Sequence, residues 1–423
     1  MRLAVVVALA ACSFGMASPS RRVYAADALN SSSHPSGAPP IPADGKTETN
    51  IVPVVGGTTD IGFGVGEFAS LTHLRRGADP YVWSLESAGL VTFKPGVGGG
   101  IQVPYQDFLV KLSVPRLFGS PARLEIRPEY SWESTLGYYG IGNASTDAQP
   151  KGTPASYYWY GRLHPTVDAS LRWRIVDHLA ARTGFRYTQN WLQVAAGSRL
   201  SQDLESASRE VKSLLGSTRA HGVALFTYGL QWDNRDNEVS SHRGSFTVAA
   251  INLSPGGTTA YPYRYGQATL IASGFIPLGS NRVTLALRGV GDAFFGDPPF
   301  YELARFDDTY ALGGITGVRG IPAQRYYGKV KAFGNVEVRV DVTSFHVVGK
   351  NLLFGLVAFA DGGRVWADFA PHPELDGTGV GLKYGVGGGA RLQSGSAFVL
   401  RADVAWSPDA RPIGGYFAAG QAF

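Results

Sequence analysis

The feature that most restricts this chain is a period-two alternation of polar and apolar residues, repeated in segment after segment. In Arg123–Trp132 (RLEIRPEYSW) the odd positions are polar or charged and the even ones apolar. Val167–Ile175 repeats the pattern with reversed parity, and Arg282–Arg288 and Phe398–Trp406 follow it. Such a period puts one side-chain set on each face of a sheet. Here the polar face carries many Arg, Glu and Asp, and no helical segments are available to cover the apolar face. An apolar exterior around a charged lumen accommodates both faces at once.

Composition points the same way. Charged residues are 17% of the 423-residue chain, against about 25% in soluble domains. After the N-terminus no apolar run reaches the roughly 18 residues that a spanning helix needs. A membrane chain without apolar helices has one alternative, a closed β-barrel, because every backbone group must be satisfied inside the bilayer. A lipid-facing Arg or Lys costs roughly 2–4 kcal/mol at mid-depth, so the alternation also sets the register. The expected fold is all-β, a 16-stranded antiparallel transmembrane barrel. Its strands are expected near 50–57, 61–72, 81–94, 102–117, 121–134, 156–175, 178–195, 219–233, 243–254, 264–277, 281–294, 329–345, 351–362, 379–393, 396–407 and 414–423. An even count places both termini on the periplasmic side. Short turns at 175–178 and 277–281 then lie there, and long loops at 135–155, 196–218 and 295–328 lie outside.

Residues 1–25 read as a secretory signal: Arg2, an apolar stretch from Leu3 to Ala11, then small residues with cleavage after Ala17 or Ala25. Cys12, the single cysteine, resembles a lipoprotein cleavage site in its context, and the simpler reading discards it with the signal. Either way no disulfide framework remains. Residues 26–50, rich in Ser, Pro, Gly and Ala, read as a disordered linker before a barrel domain at 51–423. The one helical signal is Ser201–Leu215, with Ser201 as its cap, expected as a surface helix shielding the fourth outer loop.

Several function classes fall away. The net charge of +5 is spread out and forms no basic stripe of the kind nucleic acid needs. His164, His178, His221 and His242 lack metal-ligand spacing. The Asp233–Asn237 cluster lacks the spacing of a calcium loop and reads as a periplasmic turn. The glycine runs at 96–100 and 385–389 open no helix, so they read as strand glycines and turns. There is no Gly-x-Ser-x-Gly elbow. No catalytic residue, metal or cofactor is assigned and the chain is read as a non-enzyme; a barrel-embedded hydrolase assembled from distant strands is the minor alternative.

The remaining signals are ordered motifs. Gly313–Ile321 (GGITGVRGI) is a glycine-punctuated stretch with one arginine, inside a loop of over thirty residues. Loops that long signal function or disorder. Asn335–Asp341 follows, a strand with polar groups on one side and valines on the other. Tyr139–Asn143, Asp233–Asn237 with Arg243-Gly244, a Phe359/Asp361/Gly363 block and a final Phe423 preceded by Gly420 complete the set. In this order the motifs resemble the bacterial surface-antigen superfamily of outer-membrane barrels. That superfamily includes BamA- and TamA-like assembly factors and two-partner-secretion transporters.

The resemblance runs over nearly all of 51–423 and implies that the sixth outer loop folds into the lumen. Its tip would be Val318-Arg319-Gly320-Ile321, with Ile321 replacing the usual aromatic. The family's Asn-x-Glu-x-Arg strand matches Asn335, Glu337 and Arg339. An isolated buried charge is very costly, so Arg319 needs partners: Asp361 first, Glu337 second, with Arg339 in the same lumen set. Gly420 and Phe423 close the last strand, as a weak seam or as a terminal targeting signal. The implied function is translocation or membrane insertion of proteins or lipids, with a passive pore or structural barrel as the alternative. The implied partners are the outer-membrane bilayer and client outer-membrane or secreted proteins. Because 26–50 is too short for one transport-associated domain, clients are expected to be reached either through a separate periplasmic partner or directly at the barrel's own strand seam.

Overall fold

The computed structural model describes residues 45–423 apart from 79–80, 97–98, 281, 307–309, 348–349, 395–397 and 411–412. The signal segment and most of the linker therefore lie outside the described residues. Sixteen antiparallel strands close into one barrel. They are β1 (Lys46–Thr58), β2 (Gly62–Leu74), β3 (Trp83–Pro95), β4 (Tyr105–Val114), β5 (Ala122–Gly137) and β6 (Trp159–Leu163 with Thr166–Val176). Next come β7 (Leu179–Val194), β8 (His221–Asp233), β9 (Gly244–Ser254), β10 (Tyr265–Pro277) and β11 (Val283–Gly296). The wall ends with β12 (Val330–Val347), β13 (Lys350–Trp366), β14 (Lys383–Ser394), β15 (Phe398–Trp406) and β16 (Gly414–Ala419). We call the end from which β1 departs the inner end, and the end reached by the long loops the outer end.

Local chemistry explains the departures from the expected boundaries. β6 breaks at His164-Pro165, where proline offers no N–H to the ladder. The wall holds there because His164 N donates to Ser131 O and Gln189 N donates to Pro165 O. β1 starts at Lys46, inside the stretch expected as linker, because Lys46–Asn50 pair with Ser70–Leu74. The expected single helix is two, α1 (Arg199–Ser206) and α2 (Arg209–Leu215). Ser198 and Ser208 cap them, and Ser201 is not a cap: its backbone N donates to the Ser198 hydroxyl at 3.2 Å. Nor is α2 a surface shield. Its Val211, Leu214 and Leu215 are buried with Tyr263, Phe300 and Tyr301 at the outer end.

The alternation sorts the wall as charge and lipid demand. On β5, Ile126 and Tyr130 are exposed on the outside while Arg127 is buried inside. On β12 and β13, Val336, Val338 and Leu356 face out, and Asn335, Glu337, Arg339 and Asp361 are buried inside. No described helix is long and apolar enough to cross a membrane.

Closure is uneven around the wall. β1 and β2 pair along thirteen register positions. β1 and β16 meet only at Gly57–Phe417 and Thr58–Tyr416, both at the outer end. Below them β16 ends at Ala419, short of the expected 414–423, and Gly420 takes a positive φ of 83°. Residues 421–423 then leave the wall, so β1 below Gly57 keeps one edge without a described strand partner. In an antiparallel ladder the N–H groups of successive residues point to opposite neighbours. Alternate amides of Ile51–Val55, those aimed at the seam, are expected to exchange with deuterium faster than those bonded to β2. Uniform protection along this segment would contradict an open lower seam.

Candidate functional site

The sixth outer loop leaves β11, forms a 3-10 turn at Phe300–Ala304, and returns to β12. Its tip is a compact knot. Val318 N donates to Leu312 O at 2.6 Å, and Gly314 N donates to Ile321 O at 2.7 Å. Val318 and Ile321 are buried with Leu312, Phe306, Phe333, Tyr326 and Val365. Gly320 has φ +93°, and a Cβ there would stand 2.9 Å from the Trp406 carbonyl carbon. An L side chain is disfavoured on both counts.

This knot aims Arg319 at inward-facing wall residues. The side chain is 0% exposed. Nε and Nη2 make a bidentate pair with Asp361 at 2.7 and 2.9 Å, and Arg319 N adds a third bond to Asp361 at 3.1 Å. Nη1 reaches Glu337 at 2.6 Å and Asp403 at 3.4 Å. The guanidinium lies 3.4 Å above the centre of the Phe359 ring. Burial alone would disfavour the cation. Glu337, Asp361 and Asp403 outweigh it and hold Arg319 protonated, above its ordinary value.

The wall is shaped for the tip. A Cβ on Gly363 would meet Leu312 Cδ1 at 2.5 Å, and one on Gly385 would meet the Arg319 carbonyl oxygen at 1.8 Å. The glycine run at 385–389 thus lies in a strand, β14, where it clears a path for the loop. Asn335 donates to Gly317 O at 2.9 Å. The tip also touches both sides of the seam. Gly320 N donates to the Tyr416 hydroxyl at 2.8 Å, and Ala323 N donates to Asp60, in the β1–β2 turn, at 3.2 Å.

Arg339 joins the lumen set through Glu337: two positions nearer the inner end, it bonds Glu337 at 2.8 Å and the Phe423 carbonyl oxygen at 2.9 Å. One expectation needs correction. Phe423 does not close a strand. It is buried, with the Arg288 and Arg339 guanidiniums 4.7 and 5.1 Å from its ring centre and Phe275 beside it. Arg288, unassigned in the sequence reading, joins the two segments. It donates to Thr316 O in the tip at 2.6 Å and to Ala422 O at 3.2 Å. Arg391 completes the set, bonding Asp403 and, at 2.9 Å, Gln421.

A second anchor, also missed, holds the loop's descending arm. Arg305 pairs with Glu133 at 2.6 Å, Glu133 with His164 at 2.9 Å, and Arg162 lies 3.8 Å from the centre of the Tyr301 ring. Nearer the outer end the Tyr139–Asn143 motif meets the same loop, with Gly142 N donating to Tyr327 O at 2.7 Å. The Asp233–Asn237 motif is a turn: Asp233 holds Arg235 at 2.7 Å, Asn237 accepts from Val239 N and Ser240 N, and Asp233 N donates to His178 O in the β6–β7 turn at 2.8 Å. Among the described residues no His, Cys, Asp and Glu grouping fits a metal ion.

Each hydrogen bond to a charged group is worth about 1.5–3 kcal/mol. Arg288→Gln is therefore expected to speed thiol labelling of both Thr316→Cys and Ala422→Cys reporters, about tenfold or more; a rise at one site alone would uncouple them. Gly385→Ala removes no charge, and it should speed labelling at Thr316→Cys by crowding the Arg319 carbonyl. An unchanged rate would contradict the close approach.

The comparisons bear on the whole arrangement. A search of curated proteins found no match. Among solved structures, BamA from Haemophilus ducreyi lacking POTRA domains 1-3 superposes with a TM-score of 0.58 at 15% identity, over 89% of this chain and 70% of that one. CdiB from Escherichia coli gives a TM-score of 0.54 at 14% identity, over 90% of this chain and 64% of that one. At such identities the likeness is one of fold. The Omp85 superfamily domain model matches residues 97–423, most of the wall and the entire tip loop. With that match the chain belongs to the Omp85 superfamily of β-barrels.

Proposed function

We propose that this barrel is an outer-membrane factor that translocates polypeptides or inserts them into the membrane, with lipids as a second cargo class. The observation that carries the reading is the Arg319 tip, tied at once to three wall carboxylates and to both sides of the sparsely paired seam. An unpaired strand edge templates another strand. A seam held mainly at its outer end is thus a place for a client strand to add, and the tip is poised to govern it. Clients would be outer-membrane or secreted proteins, reached from the periplasm with a separate partner. Arg319 acts in this reading as a lock rather than a reacting group, so no catalytic step is assigned.

Breaking one member of a buried pair costs about 3–5 kcal/mol. Arg319→Ala is expected to free the tip and to deplete selected outer-membrane proteins, or one lipid class, relative to wild-type cells. Quantitative membrane proteomics and lipid analysis at matched barrel abundance check this. Arg319→Lys, which keeps the charge but loses the bidentate geometry, should fall between the two. An unchanged membrane at normal barrel levels would favour a passive pore or structural barrel.

A further inference from the structure

Three positive charges far apart in the sequence are brought side by side by strand register. Arg123 on β5 stands opposite Arg172 on β6, and Arg172 stands opposite Arg182 on β7. All three share the inward parity of Arg127, Asp168 and Arg186, and lie nearer the inner end. Like charges directly opposite one another across strands are destabilising. Two layers deeper the same three strands avoid this, with Arg127 opposite Asp168 and Asp168 opposite Arg186, bonded at 3.0 Å. Arg123 has Glu125 at 3.9 Å and the Tyr81 hydroxyl at 2.9 Å. No carboxylate lies in ion-pair range of Arg172 or Arg182 among the described residues. Both are only partly buried.

We propose that this arginine row is a binding site for carboxylate-rich polypeptide segments at the inner mouth of the lumen. Adjacent strands are about 4.8 Å apart, so three guanidiniums span roughly 10 Å, enough for several carboxylates on an extended segment. Guanidinium forks bind carboxylates bidentately. The row faces inward, while the lipid-facing positions nearby are Ile126, Trp173 and Phe185, so a lipid headgroup would have to leave the bilayer to reach it. In the β4–β5 turn, at the same inner end and five residues before Arg123, Phe118 is 98% exposed at φ 51°. A phenylalanine held in the left-handed region and bare to solvent is strained. It offers an apolar contact that a peptide can use and a small anion cannot.

The site rests on the reading of the barrel as a handler of polypeptides and names the chemistry it would select. Its test uses the full chain in zwitterionic nanodiscs and a fluorescein-labelled peptide rich in aspartate and leucine, with an asparagine-for-aspartate twin as control. The acidic peptide should bind, weaken as salt rises, and lose tenfold or more in affinity in Arg172→Gln/Arg182→Gln. The twin should not bind. Because the double substitution relieves repulsion, its barrel should unfold on heating no earlier than wild type, which separates lost binding from lost folding. Equal binding of the twin, an unchanged affinity in the double variant, or displacement by inorganic phosphate as effective as by unlabelled peptide would each overturn the site. Failure here alongside selective membrane depletion in Arg319→Ala would leave the proposed function standing.

Discussion

A guanidinium sealed from water must find its counter-charges inside the protein, and most of the inner architecture follows from how Arg319 does so. An unpaired cation there would be far too costly to keep. Asp361, Glu337 and Asp403 come from three different strands, β13, β12 and β15, so their meeting requires those strands to hold register. Glu337 takes Arg339 as a further partner, and Asp403 takes Arg391 and Arg401. The result is a continuous polar network rather than one bridge. Replacing a buried pair by apolar groups is often neutral or stabilising, so this network is better understood as a device for a specific loop position than as a source of bulk stability.

The network also links segments far apart in the chain. Arg288 touches the tip and residue 422, Arg339 touches Glu337 and residue 423, and Tyr416 receives the Gly320 amide while pairing with Thr58 at the seam. Tip, seam and the 420–423 segment are therefore held by shared groups. A shift in one changes the partners available to the others, the physical requirement for coupling between sites.

Much of this was legible from sequence, for a simple reason. Period-two patterning reports a strand's faces directly, so barrel, strand number and the inward parity of Glu337, Arg339 and Asp361 could all be read. The motif residues were legible through the resemblance, which implied that the loop enters the lumen; once buried there, Arg319 needs carboxylates. Distant pairings were not. Arg288, Arg401 and Asp403 sat on visible polar parity, but parity does not say which residue across a lumen they meet. For Arg339 the face was legible, but its depth, beside residue 423, was not. The turn inward after Gly420 left only a glycine as its signal, and the arginine row needed the register of three strands. Ser198 was passed over as a cap because the helical pattern runs through both short helices as if they were one.

The most direct measurement of the central claim is a double-mutant cycle on Arg319→Ala and Asp361→Ala, read as the free energy of tip opening from labelling of a Thr316→Cys reporter. Contacting residues in one network show coupling of about 0.5–3 kcal/mol. A coupling at the upper end of that range or beyond is expected for a bidentate buried pair. Additive effects would mean that the tip is held by packing alone, and would contradict the charge lock on which this account stands.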